Sequence, residues 1–454
     1  MSDLLAVLPP WTMLRRRFLS GESTPRDLLE ACLARISAAE PVVRAFVHLD
    51  PDAARAAADA ATRRYRAGRP CSPIDGLPVA VKDIIDTHDM PTQMNSPLFL
   101  DHHPRADAAC VRAVREGGGV LLGKTVTTEF AIGASGPTTN PWNPCHTPGG
   151  SSSGTAAGAA AGMFPVGFAT QTQGSTIRPA SYCGVVGYKP TLGALSLGGV
   201  HPLSRSHDHL GLIGQSVDTV WQLARWVGER APGEDGNGLS GPLGATPEAL
   251  RPARLAVLRT AGVDAMESAA HTAFEALLGH LREAGVTLTE PADDSLLADV
   301  VKRLDHLEEQ SLRMVAFDMR WPYLDYLRRA PEQLGPRLHE LMRLAEDTTL
   351  ATYCLLRAER QGLRARVAEL GRHHDALILP AASGPAPVGF GWTGARTLLV
   401  YMTYLGLPTF SLPLMQVSGL PLGVQLCGFA GGDFALARQA LWLEQALGTA
   451  HSPA

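Results

Sequence analysis

Apolar residues recur at i, i+3 and i+4 through residues 11–66, in runs such as GESTPRDLLEACLARISAAE and DPDAARAAADAATRRYRAG, with Ser/Thr-Pro starts. That spacing and those starts predict a helical segment over residues 1–66. After GRPCSPIDG the period changes. LPVAV (77–81) is a short unbroken apolar run of the kind a fully buried strand makes, and it stops at Lys82-Asp83. A helix is expected over 106–118 and a strand at GVLLGKT (119–125), and the alternation continues to about 226, with FPVGFAT just before residue 171. A Gly/Pro-rich surface loop is expected at 228–247. RLAVL, a helix and GVTLTEP then read as another β-α-β unit. Residues 295–371 read as charged helix, broken at Trp321-Pro322. Strands return at 376–380, 408–413 and 421–428, and a helix at 433–447 closes the pattern. Alternating helix and apolar strand over most of the chain predicts a large α/β sheet covered by helices on both faces.

Composition narrows the class. The 454 residues are 45% hydrophobic and 19% charged, as in a globular protein. Net charge is −4, and no Lys/Arg cluster is long enough to track a phosphate backbone, so nucleic acid is not expected as a partner. The seven cysteines are dispersed and form no C-x-x-C pair, which points to reduced thiols and away from a disulfide scaffold or zinc site. The N-terminus has acid and proline where a signal peptide needs a basic start and an apolar core. No window has the length and apolarity of a membrane span. A cytoplasmic location is the expectation.

One stretch raises the question of chemistry: HTPGGSSSGTAAGAAAG, residues 146–162. Gly150, Ser152 and Gly154 fit G-x-S-x-G, yet the proline-rich segment before Ser152 is no strand, which a nucleophile elbow requires. No G-K-[ST] closes the run, so it is not a P-loop. Small residues at helical spacing suit a tightly packed helix better than a tether. Downstream, an apolar strand leads into Thr170-Gln171-Thr172-Gln173-Gly174-Ser175, a turn whose backbone N–H groups can converge on an oxyanion. The histidines of HPLSRSHDHLG (201–211) offer no convincing Ser-His-Asp partner. Lys82 is the alternative base. Its ordinary pKa is too high for that work, and burial favours the neutral form; taken alone, it reads better as a solvated strand-end lysine paired with Asp83.

GLPVAVKDIIDTHDMPT (76–92), PGGSSSGTAAGAAAG (148–162) and TQTQGSTIRPASYCGVVGYKPT (170–191) resemble, in order and spacing, the amidase signature family. The likeness extends to AACVRAVREGGGVLLGKTVTTEFA (108–131) and GLPTFSLPLMQVSGLPLGVQLCG (406–428). The resemblance implies a single large α/β domain over 67–454 with a central mixed sheet; the helical region at about 295–371 lies outside the likeness and reads as an insert, and residues 1–66 are expected to pack on the core. It implies a Ser-cisSer-Lys triad of Lys82, Ser151 and Ser175, with a cis bond between Gly150 and Ser151. Lys82 would deprotonate Ser151, and Ser151 would deprotonate the nucleophile Ser175. An acyl-enzyme then forms, its oxyanion held by backbone N–H groups of Thr172, Gln173, Gly174 and Ser175. Ser152 is then a decoy. The activity implied is hydrolysis of a small carboxamide, with no metal and no cofactor. Alternatives are the glutaminase subunit of a tRNA-dependent amidotransferase and an inactive ligand-binding relative.

Departures from the family pattern lie in the third motif. Gln171 replaces an aspartate that helps hold the loop, and Gln173 replaces a glycine, a strain if that position needs positive φ. Arg178, followed by Pro179, resembles a subset of small-molecule amidases in which this arginine contacts a substrate carboxylate; the alternative is a structural arginine tying two loops together. Trp142, Phe99, Met94 and Trp392 are candidate pocket residues, the insert is expected to shape the entrance, and the N-terminal helices are a candidate homodimer contact.

Overall fold

In a computed structural model that describes residues 4–233, 238–242 and 244–448, eleven strands join in one sheet. They are β1 (Phe46–Leu49), β2 (Pro78–Lys82), β3 (Val120–Thr125), β4 (Val166–Gln171), β5 (Val186–Lys189) and β6 (His209–Gly214). The rest are β7 (Arg254–Val257), β8 (Thr287–Thr289), β9 (Ala376–Pro380), β10 (Thr409–Val417) and β11 (Leu420–Cys427). Their spatial order is β1-β3-β2-β4-β6-β5-β10-β11-β9-β7-β8. Pairing is parallel in β3-β2-β4 and β9-β7-β8 and antiparallel elsewhere, so the sheet is mixed. The fold is a single α/β domain around this sheet.

The near-continuous apolar strands follow from burial on both faces. Val79, Val81, Phe168 and Leu212 enter one core, while their chain neighbours Ala80, Ala169 and Ile213 enter a second, smaller one. Alternate residues of one strand thus serve opposite faces. On the smaller face lies the helix Ser153–Ala160, wholly buried. A Cβ on Gly154 would sit 2.2 Å from the Ala45 carbonyl oxygen, and one on Gly158 would sit 2.6 Å from the Phe164 ring. The small-residue run is therefore a helix pressed against its neighbours.

Residues 11–66 are not helical throughout. Helices Trp11–Ser20, Pro25–Val43 and Pro51–Arg66 form, but Phe46–Leu49 pairs antiparallel with β3 at the sheet's edge. Four residues give too short an alternation to stand out between two helices. The expected Thr-Pro start is real, with Thr24 and Asp27 in a reciprocal capping box, while the other helix starts at Asp-Pro, where Asp50 accepts from the Ala53 N–H. The insert is helical, with Trp321 leaving helical geometry ahead of Pro322 (φ −118°, ψ 127°). The stretch 228–247 begins inside the helix Val217–Arg230 and includes residues 234–237 and 243, outside the described residues. Among the described residues no helix is long and apolar enough to cross a membrane.

Candidate active site

Parallel pairing sets the C-terminal ends of β2 and β4 side by side, which brings Lys82 to Thr170. The Lys82 Nζ lies 2.8 Å from Ser151 Oγ and 2.7 Å from Thr170 Oγ1, and the side chain is fully buried. The alternative pairing with Asp83 does not form. Asp83 faces Lys124, 3.3 Å away, and accepts backbone N–H groups of Gln93 and Met94. Burial pushes the Lys82 ammonium well below its ordinary 10.5, opposed only in part by the charge of Asp208. With two hydroxyls and no carboxylate against it among the described residues, a neutral amine is the favoured form.

Ser151 precedes the small-residue helix, and its bond to Gly150 is cis. Its carbonyl accepts the Thr128 N–H at 3.2 Å. The next residue makes the tie to the third segment: the Ser152 N–H donates to the Ser175 carbonyl at 3.2 Å, while the Ser152 side chain is buried against Thr170. Ser151 and Ser175 line one cavity. Among the described residues no hydrogen bond joins their hydroxyls, so the second link of the expected relay is open here; such bonds often tighten only around substrate. Exposure rises along the series, from Lys82 at 0% through Ser151 at 2% to Ser175 at 8%. The expected nucleophile is the most exposed of the three.

The turn after β4 is held from three sides. Gln171 Oε1 accepts the N–H groups of Thr176 and Ile177 at 2.9 and 3.0 Å, while its Nε2 donates to Thr403 at 2.8 Å. Glutamine thus supplies the same kind of acceptor that an aspartate would. The Thr172 hydroxyl donates to Asp208 at 2.6 Å, and Gln173 accepts from Arg396 at 2.9 Å while donating to Ser311 of the insert at 3.3 Å. Gln173 is not among the residues with positive φ, so the strain expected of a replaced glycine is absent; the turn takes its positive φ at Gly174, 144°. A Cβ there would meet Leu399 at 2.8 Å. Among the described residues the backbone N–H groups of Thr172, Gln173, Gly174 and Ser175 donate no hydrogen bond, which leaves them available to an oxyanion.

The cavity encloses about 440 Å³ and is lined by Arg178, Pro336, Arg337, Trp392, Thr393 and Arg396, among others. Arg178 is 5% exposed. Its Nη1 donates to the carbonyls of Gly394 and Ala395, and its Nη2 to the Gly150 carbonyl and the Thr393 hydroxyl. Only Nε lacks an acceptor. Both terminal nitrogens are engaged in tying two loops together, so a carboxylate could take a two-point grip only by displacing them. Of the four candidate pocket residues, Trp392 alone lines the cavity. Trp142 donates to the Cys183 carbonyl, Phe99 packs edge-on to Phe130 and Tyr326, and Met94 is buried in the core.

Thr170 and Asp208 escaped the sequence reading. Their signals were present: a threonine one residue before the end of a buried strand, and an acid between two histidines, the second of which starts another. Burial raises the Asp208 carboxyl to about 6, against hydrogen bonds from Thr172, Leu203 and Ser204. The histidines serve structure. His207 contacts Ser204 and Ser206, His209 contacts the His207 carbonyl, and His201 sits between Tyr323 and Tyr326, its pKa lowered by burial to about 4.

Known proteins are similar to this chain over much of its length. The glutamyl-tRNA(Gln) amidotransferase A subunit of Chloroflexus aggregans is 40% identical over 284 residues, 60% of this chain and 57% of that protein. The chain therefore matches less than two thirds of that relative's length. The protein of the same name from Roseiflexus sp. is 32% identical over 456 residues, 93% of each chain. A crystal structure of an amidase superposes with a TM-score of 0.84 at 31% identity, covering 97% of this chain and 100% of that one. The family model described as Amidase matches residues 27–437, and with a buried lysine bonded to a cis-bonded serine that shares one cavity with the third-segment serine, the chain belongs to the Amidase family.

Proposed function

We propose that this chain hydrolyses the amide bond of a small carboxamide through an acyl-enzyme on Ser175. Neutral Lys82 gives an N–H to Thr170 and turns its lone pair to Ser151. The Ser151 proton passes to Lys82 as Ser151 takes the Ser175 proton, and Ser175 Oγ attacks the carbonyl. The oxyanion rests on the N–H groups of Thr172 to Ser175. The proton returns through Ser151 to the leaving nitrogen, and water resolves the ester by the same relay. The observation that carries this reading is the fully buried Lys82 Nζ at 2.8 Å from the Ser151 hydroxyl, with no acid in contact among the described residues. In a screen of amides for ammonia release, the wild-type protein turns over at least one, and Ser175→Ala turns over none. Equal release by both would end the proposal.

A second reading rests on the names of the curated relatives: the chain works as they are named, as the A-type component of an amidotransferase, using the same residues on glutamine within a complex. It would set aside the expectation that nucleic acid has no place among the partners. Glutaminase activity that emerges only with partner subunits, together with co-elution in gel filtration, would select it. Hydrolysis of other amides by the isolated chain would select the first.

A further inference from the structure

Three arginines line the catalytic cavity, and no acidic side chain does among the described residues. Arg178 is committed to loop carbonyls, as described above. The other two are not. Arg337, in the first turn of the insert helix Pro336–Asp347, has its Nη1 on the exposed Glu340 at 2.7 Å, while its buried Nη2 has no partner. Arg396 gives one N–H to Gln173 at 2.9 Å and stands 3.8 Å from Glu308, beyond hydrogen-bond reach. Burial lowers the Arg396 pKa and the charge of Arg337 lowers it further, while the carboxylates of Glu308 and Glu340 oppose this in part. Each arginine stands near one carboxylate yet, among the described residues, keeps part of its fork unpaired at the cavity wall, and guanidinium forks match a carboxylate best.

We propose that Arg337 and Arg396 bind a carboxylate of the substrate, so that the preferred amide carries a second, ionised acid group and no ammonium. The proposal rests on the amidase reading given above and adds the substrate's charge to it. It also separates the two readings of function. Glutamine brings an ammonium as well as a carboxylate, and the lining offers that ammonium no acid among the described residues. Arg396 has a further task, since it steadies Gln173 in the oxyanion turn. Arg337 makes no hydrogen bond to that turn among the described residues, which makes it the residue to test.

The test compares succinamate with its uncharged methyl ester by ammonia release, and measures succinate binding by calorimetry, in wild type, Arg337→Gln and Arg337→Lys. For Arg337→Gln the ratio of kcat/KM for succinamate over the ester falls roughly 10–100-fold, mainly through KM, the loss expected for a hydrogen bond to a charged group. Succinate binding weakens in parallel. Arg337→Lys restores part of both, which a loss of folding would not allow. An unchanged ratio in Arg337→Gln overturns the proposal, as does absence of succinate binding to the wild type. Arginine-dependent succinate binding without turnover of any amide would uphold the carboxylate site and overturn the amidase reading instead.

Discussion

At Lys82, burial favours the neutral amine that the proposed relay requires. Its desolvation cost is not offset by an ion pair, because Asp83 is taken by Lys124. Since the folded-state pKa lies below the unfolded one, the unfolded chain binds more protons between the two values. Stability contributed by this group therefore rises with pH across that window and is lost as pH falls through the folded pKa. Lys82→Met removes the titration. Its activity falls by a factor of about 10³ or more, while its melting temperature in neutral buffer does not drop and its stability depends less on pH in alkaline solution. A large loss of stability in Lys82→Met would mean that the amine is a structural donor. Gly174 makes a complementary case: with φ at 144° and Leu399 2.8 Å from an added Cβ, Gly174→Ala should cost about 1–3 kcal/mol and distort the turn. Denaturant unfolding measures the first effect and kcat the second.

Elements, too, carry the site by close approach. The helix Ser153–Ala160 brings Ser151 and Ser152 under β4 only because glycine lets it near the chain at Ala45 and Val126. Gly154→Ala, whose methyl would lie 2.2 Å from a carbonyl oxygen, is expected to destabilise by about 1–3 kcal/mol. Gly279→Ala, in the helix Ser268–Glu283 with nothing within 4 Å, is expected to stabilise by about 0.5–1 kcal/mol. Chemical denaturation of the pair decides whether space, and not composition, explains the small-residue run. Periodicity made the strands around the site legible, since LPVAV and FPVGFAT are too apolar for a sheet with one wet face. It did not make Phe46–Leu49 legible. That edge strand is partly buried and four residues long, and its identity comes from β3, about 75 residues away in the chain.

Across the whole molecule, the site is assembled from segments whose meeting no local pattern encodes. The motif segments around Lys82, Ser151 and Ser175 could be read from the chain; what they touch could not. Asp208 reaches the turn from just before β6 through Thr172, Ser311 and Arg337 arrive from the insert, and Thr393 to Ala395 close on Arg178. These contacts depend on sheet order and long-range packing. The surroundings of Arg178 and Gln171 were likewise set by partners distant in sequence, Gly394 and Thr403. The insert was expected near the entrance, and its Pro336 and Arg337 line the cavity.

The most direct measurement is the mass of the intact protein after brief reaction with an amide whose turnover has been established, quenched in acid and mapped by peptide. An acyl adduct is expected on the peptide containing Ser175, absent in Ser175→Ala and formed far more slowly in Lys82→Met and Ser151→Ala. Turnover without any adduct on Ser175, or adduct formation as fast without Lys82 as with it, would contradict a lysine-driven serine relay.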